Sequence, residues 1–177
     1  REVVNPTPFA CYLKEMAVVK NTNAVIIQKK KDFDLLYLLA LLNSKLFSYY
    51  IDVESPKSSN KSFPSITSNL LKNFPVKKIF QQEQSNFIKI ATYILFLKSE
   101  NLSKTTSQLI PTYFEQIIDG MVYELYFPEL LKKHNREIIR HLGELPEFTN
   151  SMSDEQKMKI CKKVFDRLND NEHPVRI

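Results

Sequence analysis

The first part of the chain carries hydrophobic runs of the kind found in β-strands. Two runs rich in β-branched residues, 15–20 and 24–28, are separated by Asn21, Thr22 and Asn23. Since asparagine tolerates the left-handed backbone of tight turns, these runs predict a β-hairpin over residues 10–31. A further short strand is predicted at residues 76–79, after the second of two Phe-Pro pairs.

Helical spacing dominates the rest of the sequence. Residues 33–50 are apolar on nearly every side, which predicts a buried central helix, and residues 68–73 predict one short helical turn. Apolar residues recur at intervals of three and four in the remaining helical stretches, which are 82–98, 111–126, 129–142 and 154–168. Gly120 is expected to allow close approach of a second helix, and Gly143 to end the helix before it.

The order of these elements predicts an α+β fold. The first half is expected to hold a small mixed or antiparallel sheet with packed helices, and the second half a bundle-like set of helices. We predict two units, an α+β domain at residues 1–100 and a helical region at 101–177.

Length and composition restrict the class of protein. The 177 residues are enough to bury a core without disulfides or metal. The longest apolar run, residues 35–42, is too short to span a membrane, and no apolar leader opens the chain. Cys11 and Cys161 are expected to be small core residues in a reducing cytoplasm. Because the chain begins with Arg1, we expect a piece of a longer protein.

The residue types that support catalysis are sparse. With only two glycines, the chain has no phosphate-binding or S-adenosylmethionine-binding loop of the usual kind. His134 and His141 lie seven residues apart, a spacing that does not favour a metal site. The carboxylates at 115, 119 and 124 are expected on a solvated helix face. We therefore predict no catalytic residue, metal or cofactor in this chain.

The positive charge is concentrated in the first half. The net charge is +5, yet residues 1–80 carry twelve Lys and Arg against six Asp and Glu, whereas residues 81–177 carry thirteen against fourteen. A one-sided basic surface is typical of proteins that bind phosphate groups. The alternative is an ordinary lysine-rich, solvated surface.

The candidate contacts to nucleic acid lie in polar segments of this basic half. Lysines neutralise phosphates, whereas serine and asparagine bond to phosphates or base edges. Polar loops on a rigid core often carry recognition, although an ordinary exposed loop stays open as an alternative. The candidates are Lys29, Lys30, Lys57, Ser58, Ser59, Asn60, Lys61, Lys72, Asn73, Lys77 and Lys78.

Three segments, taken in order, resemble a known family. They are residues 37–50, which contain Leu-Leu-Asn-Ser-Lys, then Phe-Pro at 63–64, and Leu-Lys-Asn-Phe-Pro-Val at 71–76. This order is similar to the TaqI-like C-terminal specificity domain of type IIG restriction enzymes and related adenine methyltransferases. Asn43, Ser44 and Lys45 match the family pattern, and they either hold the fold or contact DNA.

The resemblance implies a target recognition domain that grips duplex DNA and reads a short sequence. An upstream domain would bind S-adenosylmethionine and methylate N6 of an adenine flipped out of the duplex, often with a nuclease domain further upstream. The expected partners are therefore duplex DNA and a methyltransferase domain of the same chain. The alternative is a helical protein-interaction or subunit-docking module of a bacterial defence complex, which the near-neutral second half favours.

Overall fold

In a computed structural model, helices make up all the regular structure of the described residues, which are 9–15, 17–19, 23–29, 33–55, 66–99 and 108–175. The elements are α1 (Leu35–Leu42), α2 (Lys45–Glu54), α3 (Ser68–Asn73), α4 (Gln81–Leu97), α5 (Leu109–Tyr126), α6 (Pro128–Lys133), a 3-10 turn (Ile139–His141) and α7 (Asp154–Leu168). No described residue lies in a strand. The predicted α+β fold with a sheet is therefore wrong, and the described chain is all-helical.

The predicted hairpin fails because its β-branched residues have no packed face. Val18, Val25 and Ile27 are all exposed, and the described parts of both runs have no strand partner. β-Branched residues favour strands only where a pleated face packs and a neighbouring strand pairs with it. The turn residues Asn21 and Thr22 lie outside the described residues.

The predicted strand at 76–79 lies in an extended but unpaired stretch, residues 74–80, which we call the α3–α4 connection. The Val76 N–H donates to the Phe74 carbonyl at 2.8 Å, forming a three-residue turn around Pro75. The carbonyls of Pro75 and Lys77 accept hydrogen bonds from tyrosine hydroxyls. Backbone groups that a strand would use for pairing are thus already engaged.

The helix predicted at 33–50 is two helices, because Ser44 starts a new one. Its backbone is extended, its Oγ donates to the Leu41 carbonyl at 2.7 Å, and the Phe47 N–H donates to the same Oγ at 3.2 Å. A serine that caps a helix N-terminus in this way ends the preceding helix. The polar interruption inside the apolar stretch is therefore a helix boundary.

The other helix predictions are mostly confirmed. Helices α3, α4, α5 and α7 match the predicted stretches to within two residues, and Ser153 caps α7 with Gln156. The helix predicted at 129–142 is wrong, since α6 ends at Lys133 and only a 3-10 turn follows. Asn135, with a φ of 52°, reverses the chain there in the left-handed conformation.

Helices α1, α4 and α5 form the centre of the core. Tyr37 of α1 meets Phe87 of α4 edge-on at 5.3 Å between ring centroids, and Tyr93 of α4 lies 5.6 Å from Phe114 of α5. All four side chains are almost fully buried. The predicted division into units near residue 100 stays a prediction. Among the described residues, no helix is both long and apolar enough to cross a membrane.

The cysteines and glycines settle several local expectations. Cys161 is buried as predicted, and burial raises the pKa of its thiol to about 12, whereas Cys11 is exposed and the core prediction for it is wrong. Gly120 is buried against the Ile138 side chain, which arrives from a turn and not from the expected second helix. Gly143 has a φ of 62° but follows the 3-10 turn instead of ending a long helix.

Candidate functional site

Four of the predicted contact residues lie together on α3 and the α3–α4 connection. Lys72 and Asn73 are the last two residues of α3, and Lys77 and Lys78 lie in the connection; all four are exposed. Lys29 is exposed as well. The candidates Lys30, Lys57, Ser58, Ser59, Asn60 and Lys61 lie outside the described residues.

Helix α3 is capped at its start and held to the core at its middle and just after its end. The Thr67 hydroxyl caps its first turn by accepting from the Leu70 N–H at 3.3 Å, and the Tyr50 hydroxyl donates to the Leu70 carbonyl at 3.1 Å. Just after the helix, the buried Phe74 ring meets Phe47 edge-on at 4.9 Å. Lys72 and Asn73 therefore project from a backbone that the core holds in place.

Two tyrosines from different helices hold the α3–α4 connection. The Tyr37 hydroxyl of α1 donates to the Lys77 carbonyl at 2.8 Å, and the Tyr126 hydroxyl of α5 donates to the Pro75 carbonyl at 2.8 Å. Burial raises the pKa of both phenols, so each keeps the proton that it donates. The connection is thus pinned at alternate residues, between α1 and the end of α5.

The lysines of this site differ in their engagement. Lys77 Nζ donates to the Leu125 carbonyl at 2.8 Å, at the C-terminal end of α5, where the helix dipole favours a cation. Within the described ranges, the side chains of Lys72 and Lys78 make no hydrogen bond or ion pair. We therefore expect Lys77 to anchor the connection, while Lys72 and Lys78 present charge to solvent.

Lys29 is linked to the same region by a chain of contacts at the start of α1. The side-chain amide of Gln28 donates to the Phe33 carbonyl at 2.8 Å, and the Phe33 ring stacks on Tyr37 at 6.3 Å. Tyr37 in turn holds Lys77. Through these contacts Gln28, the neighbour of Lys29, is linked to the α3–α4 connection at Lys77.

The Leu-Leu-Asn-Ser-Lys residues hold the fold. Asn43 exchanges two hydrogen bonds with the Ala10 backbone, and Ser44 caps α2. The Lys45 N–H donates to Asp119 Oδ1 at 2.8 Å, while its Nζ lies 3.4 Å from Asp119 Oδ2. Of the two roles open for this segment, the structure shows the structural one.

The carboxylates of α5 are bound within the molecule and are not freely solvated. Glu115 pairs with Lys98 and Asp119 with Lys45, whereas Glu124 accepts from the N–H groups of Ile138 and Ile139, the latter at 2.8 Å. The Glu115 side chain is 45% exposed, as expected of a solvated face, whereas that of Asp119 is only 14% exposed. Each carboxylate has a partner that explains it without acid–base chemistry. The apolar spacing of α5 predicted the helix but carried no signal of these partners.

The site offers charge and hydrogen-bond donors in place of a reacting group. Its predicted contact residues carry ammonium groups and the Asn73 amide, which suit phosphate oxygens and base edges. Among the described residues, no three His, Cys, Asp or Glu side chains form a group suited to a metal ion. The roles of Tyr37 and Tyr126 in fixing this site were missed, since apolar periodicity carries no signal of the carbonyls that their hydroxyls meet.

Comparison with known proteins supports the resemblance in the first half. Residues 1–76 match the model of the TaqI-like C-terminal specificity domain, which confirms the predicted family resemblance. The chain is also similar to an inferred type II restriction enzyme and methyltransferase of Methanocaldococcus jannaschii, with 27% identity over 157 residues. That alignment covers 88% of this chain and 13% of the relative, so the chain spans a small part of the relative's length. No solved structure matches the chain significantly.

Proposed function

We propose, on the premise that residues 1–76 match a TaqI-like specificity domain, that this chain recognises a short sequence of duplex DNA for a restriction–modification enzyme. The match to the relative covers more of the chain than the family model does and extends into the helical second half. This extent supports including both halves in the proposed recognition unit.

The observation that carries the proposal is a set of exposed cations on an immobilised backbone. Lys72 lies just before the α3–α4 connection and Lys78 within it, and Tyr37 and Tyr126 hold this connection against two helices. A rigid presentation lowers the entropy lost when side chains engage a ligand. The net charge of the first half has the sign that a phosphate backbone attracts.

The proposed contacts divide into two roles. Lysines 29, 30, 57, 61, 72 and 78 hold the phosphate backbone and set the position of the duplex. Asn73, with Ser58, Ser59 and Asn60, meets base edges and supplies sequence preference. Lys77 contributes chiefly by anchoring the connection through Leu125.

We propose further that the whole protein is an enzyme of the type IIG kind. It would transfer a methyl group from S-adenosylmethionine to N6 of adenine. We place the cofactor site in other parts of the protein. This is supported by the packing of Gly120 against Ile138 and the position of Gly143 beside Arg167, which leave neither glycine in a loop typical of nucleotide binding. Other parts of the protein would hold the cofactor and flip the target base.

The test is selection of bound duplexes from a randomised pool by the full chain. We expect enrichment of one short sequence, and binding of that duplex should weaken in K57E/K61E, with a shallower dependence on salt. The matched control is K162E/K163E, which reverses two exposed lysines of α7. A pool that shows binding without a preferred sequence would contradict sequence recognition. No binding at low salt would favour the protein-docking alternative.

A further inference from the structure

A second basic surface lies in the helical half, where α6 ends. The Asn135 N–H donates to the Lys132 carbonyl at 3.1 Å and the Arg136 N–H to the Leu131 carbonyl at 2.9 Å, the two hydrogen bonds of a Schellman motif. Residues 132–136 are all exposed and carry three positive charges and no negative one. We call Lys132, Lys133 and Arg136 the α6 cations.

Contacts at the end of α5 place α6 beside the candidate site. Lys77 Nζ meets the Leu125 carbonyl and the Tyr126 hydroxyl meets the Pro75 carbonyl, both at 2.8 Å. Helix α6 begins two residues after Tyr126, at Pro128. Its six residues span about 9 Å, so the α6 cations lie at the far end of a short helix that starts beside the α3–α4 connection.

Nearby carboxylates are directed to other partners. Glu124 accepts from two backbone N–H groups at the 3-10 turn, and Glu137 pairs with Arg140 at 3.1 Å. Glu129 lies in the first turn of α6, where the helix dipole stabilises an acidic group. Within the described ranges, none of the α6 cations makes an ion pair. Their charge is therefore available to a polyanion.

The exposed lysines of α7 form a comparison surface at the other end of α5. The Tyr113 hydroxyl donates to the Leu168 carbonyl at 2.7 Å, and the Tyr113 and Phe165 rings meet at 5.1 Å. Tyr113 precedes Leu125 by twelve residues, about 18 Å along the helix. Helix α7 thus packs far from the α3–α4 connection, although its outer face is also rich in lysine.

We propose that the α6 cations bind the phosphate backbone of the same duplex, extending the DNA interface from the basic first half into the near-neutral second half. This inference rests on the proposed function and adds a positioning surface to it. A duplex carries one charge per about 1.7 Å of its axis, so cations on a helix that starts beside the first site meet further phosphates of the same molecule. The contact is independent of base sequence, because Lys132, Lys133 and Arg136 would meet phosphates only.

The test compares two triple variants of the full chain, K132Q/K133Q/R136Q and the control K159Q/K162Q/K163Q, which removes three exposed lysines of α7. Binding to a fixed duplex is measured from 50 to 200 mM salt, after thermal unfolding has shown which variants keep their fold. We expect the magnitude of the slope of log affinity against log salt to fall by about 2 to 3 in the first variant and to stay unchanged in the control. Selected and random duplexes should lose affinity by similar factors.

The outcomes separate this inference from the proposed function. If the wild-type chain binds DNA and the first variant keeps its slope, the inference is overturned and the proposed function stands. Equal losses in both triple variants would also overturn it, because only total charge would then matter. A wild-type chain that binds no duplex overturns both. If the triple variant unfolds, the single variants K132Q, K133Q and R136Q replace it, each with an expected loss of about 1 in slope.

Discussion

The side-chain amide of Asn43 is paired with the backbone of Ala10 through two hydrogen bonds. Asn43 Oδ1 accepts from the Ala10 N–H at 2.8 Å, and Asn43 Nδ2 donates to the Ala10 carbonyl at 3.0 Å. An amide offers a donor and an acceptor side by side, so it pairs with both backbone groups of Ala10 as a neighbouring strand would. The family-like Asn-Ser-Lys segment thus fastens the first described residues to the helical core.

Replacement of Asn43 by aspartate tests this pairing. The carboxylate keeps the acceptor but sets a second acceptor against the Ala10 carbonyl, so N43D should lower the free energy of unfolding by about 1 kcal/mol at neutral pH. Urea denaturation measures the change, with N150D at an exposed turn as the control for the added charge. An N43D variant as stable as the control would show that the pairing contributes nothing.

The contact between Asp119 and the start of α2 predicts that two substitutions of Asp119 lower stability by different amounts. Asp119 accepts from the Lys45 N–H at 2.8 Å, a donor that the helix itself leaves unpaired, and it pairs with the Lys45 side chain. D119A removes both interactions and should destabilise the fold by about 1 to 2 kcal/mol. D119N keeps an acceptor and should lose less. Chemical denaturation of both variants gives the order, and the reverse order would contradict the assignment.

The close packing of Gly120 and Ile138 is open to a double-mutant cycle. A Cβ at Gly120 would overlap with Ile138 Cδ1, so G120A should lower stability by about 1 to 2 kcal/mol despite its better helix propensity. I138V removes the overlapping methyl group. In the I138V background, G120A should be neutral or stabilising. Thermal unfolding of the wild type, G120A, I138V and the double variant measures the difference. If the stability changes of G120A and I138V simply add, the cost of G120A does not come from an overlap with Ile138.

Buried acidic groups predict how stability changes in alkali. Burial raises the pKa of Cys161 from an ordinary value near 9 to about 12, and burial also raises the pKa of Tyr37 and Tyr93. Below pH 9 the thiol is protonated in both states. Above it the unfolded state loses protons first, so the free energy of unfolding should fall as pH rises toward 12.

The alkaline loss of stability is measured by urea denaturation from pH 8 to pH 11. The slope against pH should become shallower in C161A, whereas C11A, at an exposed position, should keep the wild-type slope. The comparison uses slopes, because C161A also leaves a cavity that lowers stability at every pH. Parallel curves for the wild type and C161A would contradict the assigned shift.

Local sequence signals predicted most of the helices well and the described residues between 9 and 29 poorly. Intervals of three and four located α4, α5 and α7, because these helices bury one face in a shared core. The β-branched runs at 15–20 and 24–28 failed, since strand formation depends on a partner that the sequence does not specify. The sheet was therefore predicted from the strand propensity of single segments, with no evidence that any two of them pair.

The exposure of the candidate lysines was predictable, but the contacts that hold the backbone beside them were not. Charge and polarity located Lys72 and Lys78, which are exposed as expected. The bonds from Tyr37 and Tyr126 to the α3–α4 connection join residues about 40 to 50 positions apart in the chain, and so does the bond that brings the start of α6 beside it. Such contacts follow from the packed helices and leave no local pattern.

The most direct test of the account is the salt dependence of duplex binding by the full chain. Fluorescence anisotropy with a labelled duplex, from 50 to 200 mM salt, gives the slope of log affinity against log salt. We predict a slope steeper than about −4 for the wild type, with its magnitude reduced by about 2 in K72Q/K78Q. A flat slope, or a slope unchanged in that variant, would contradict a phosphate-binding surface on α3 and the α3–α4 connection.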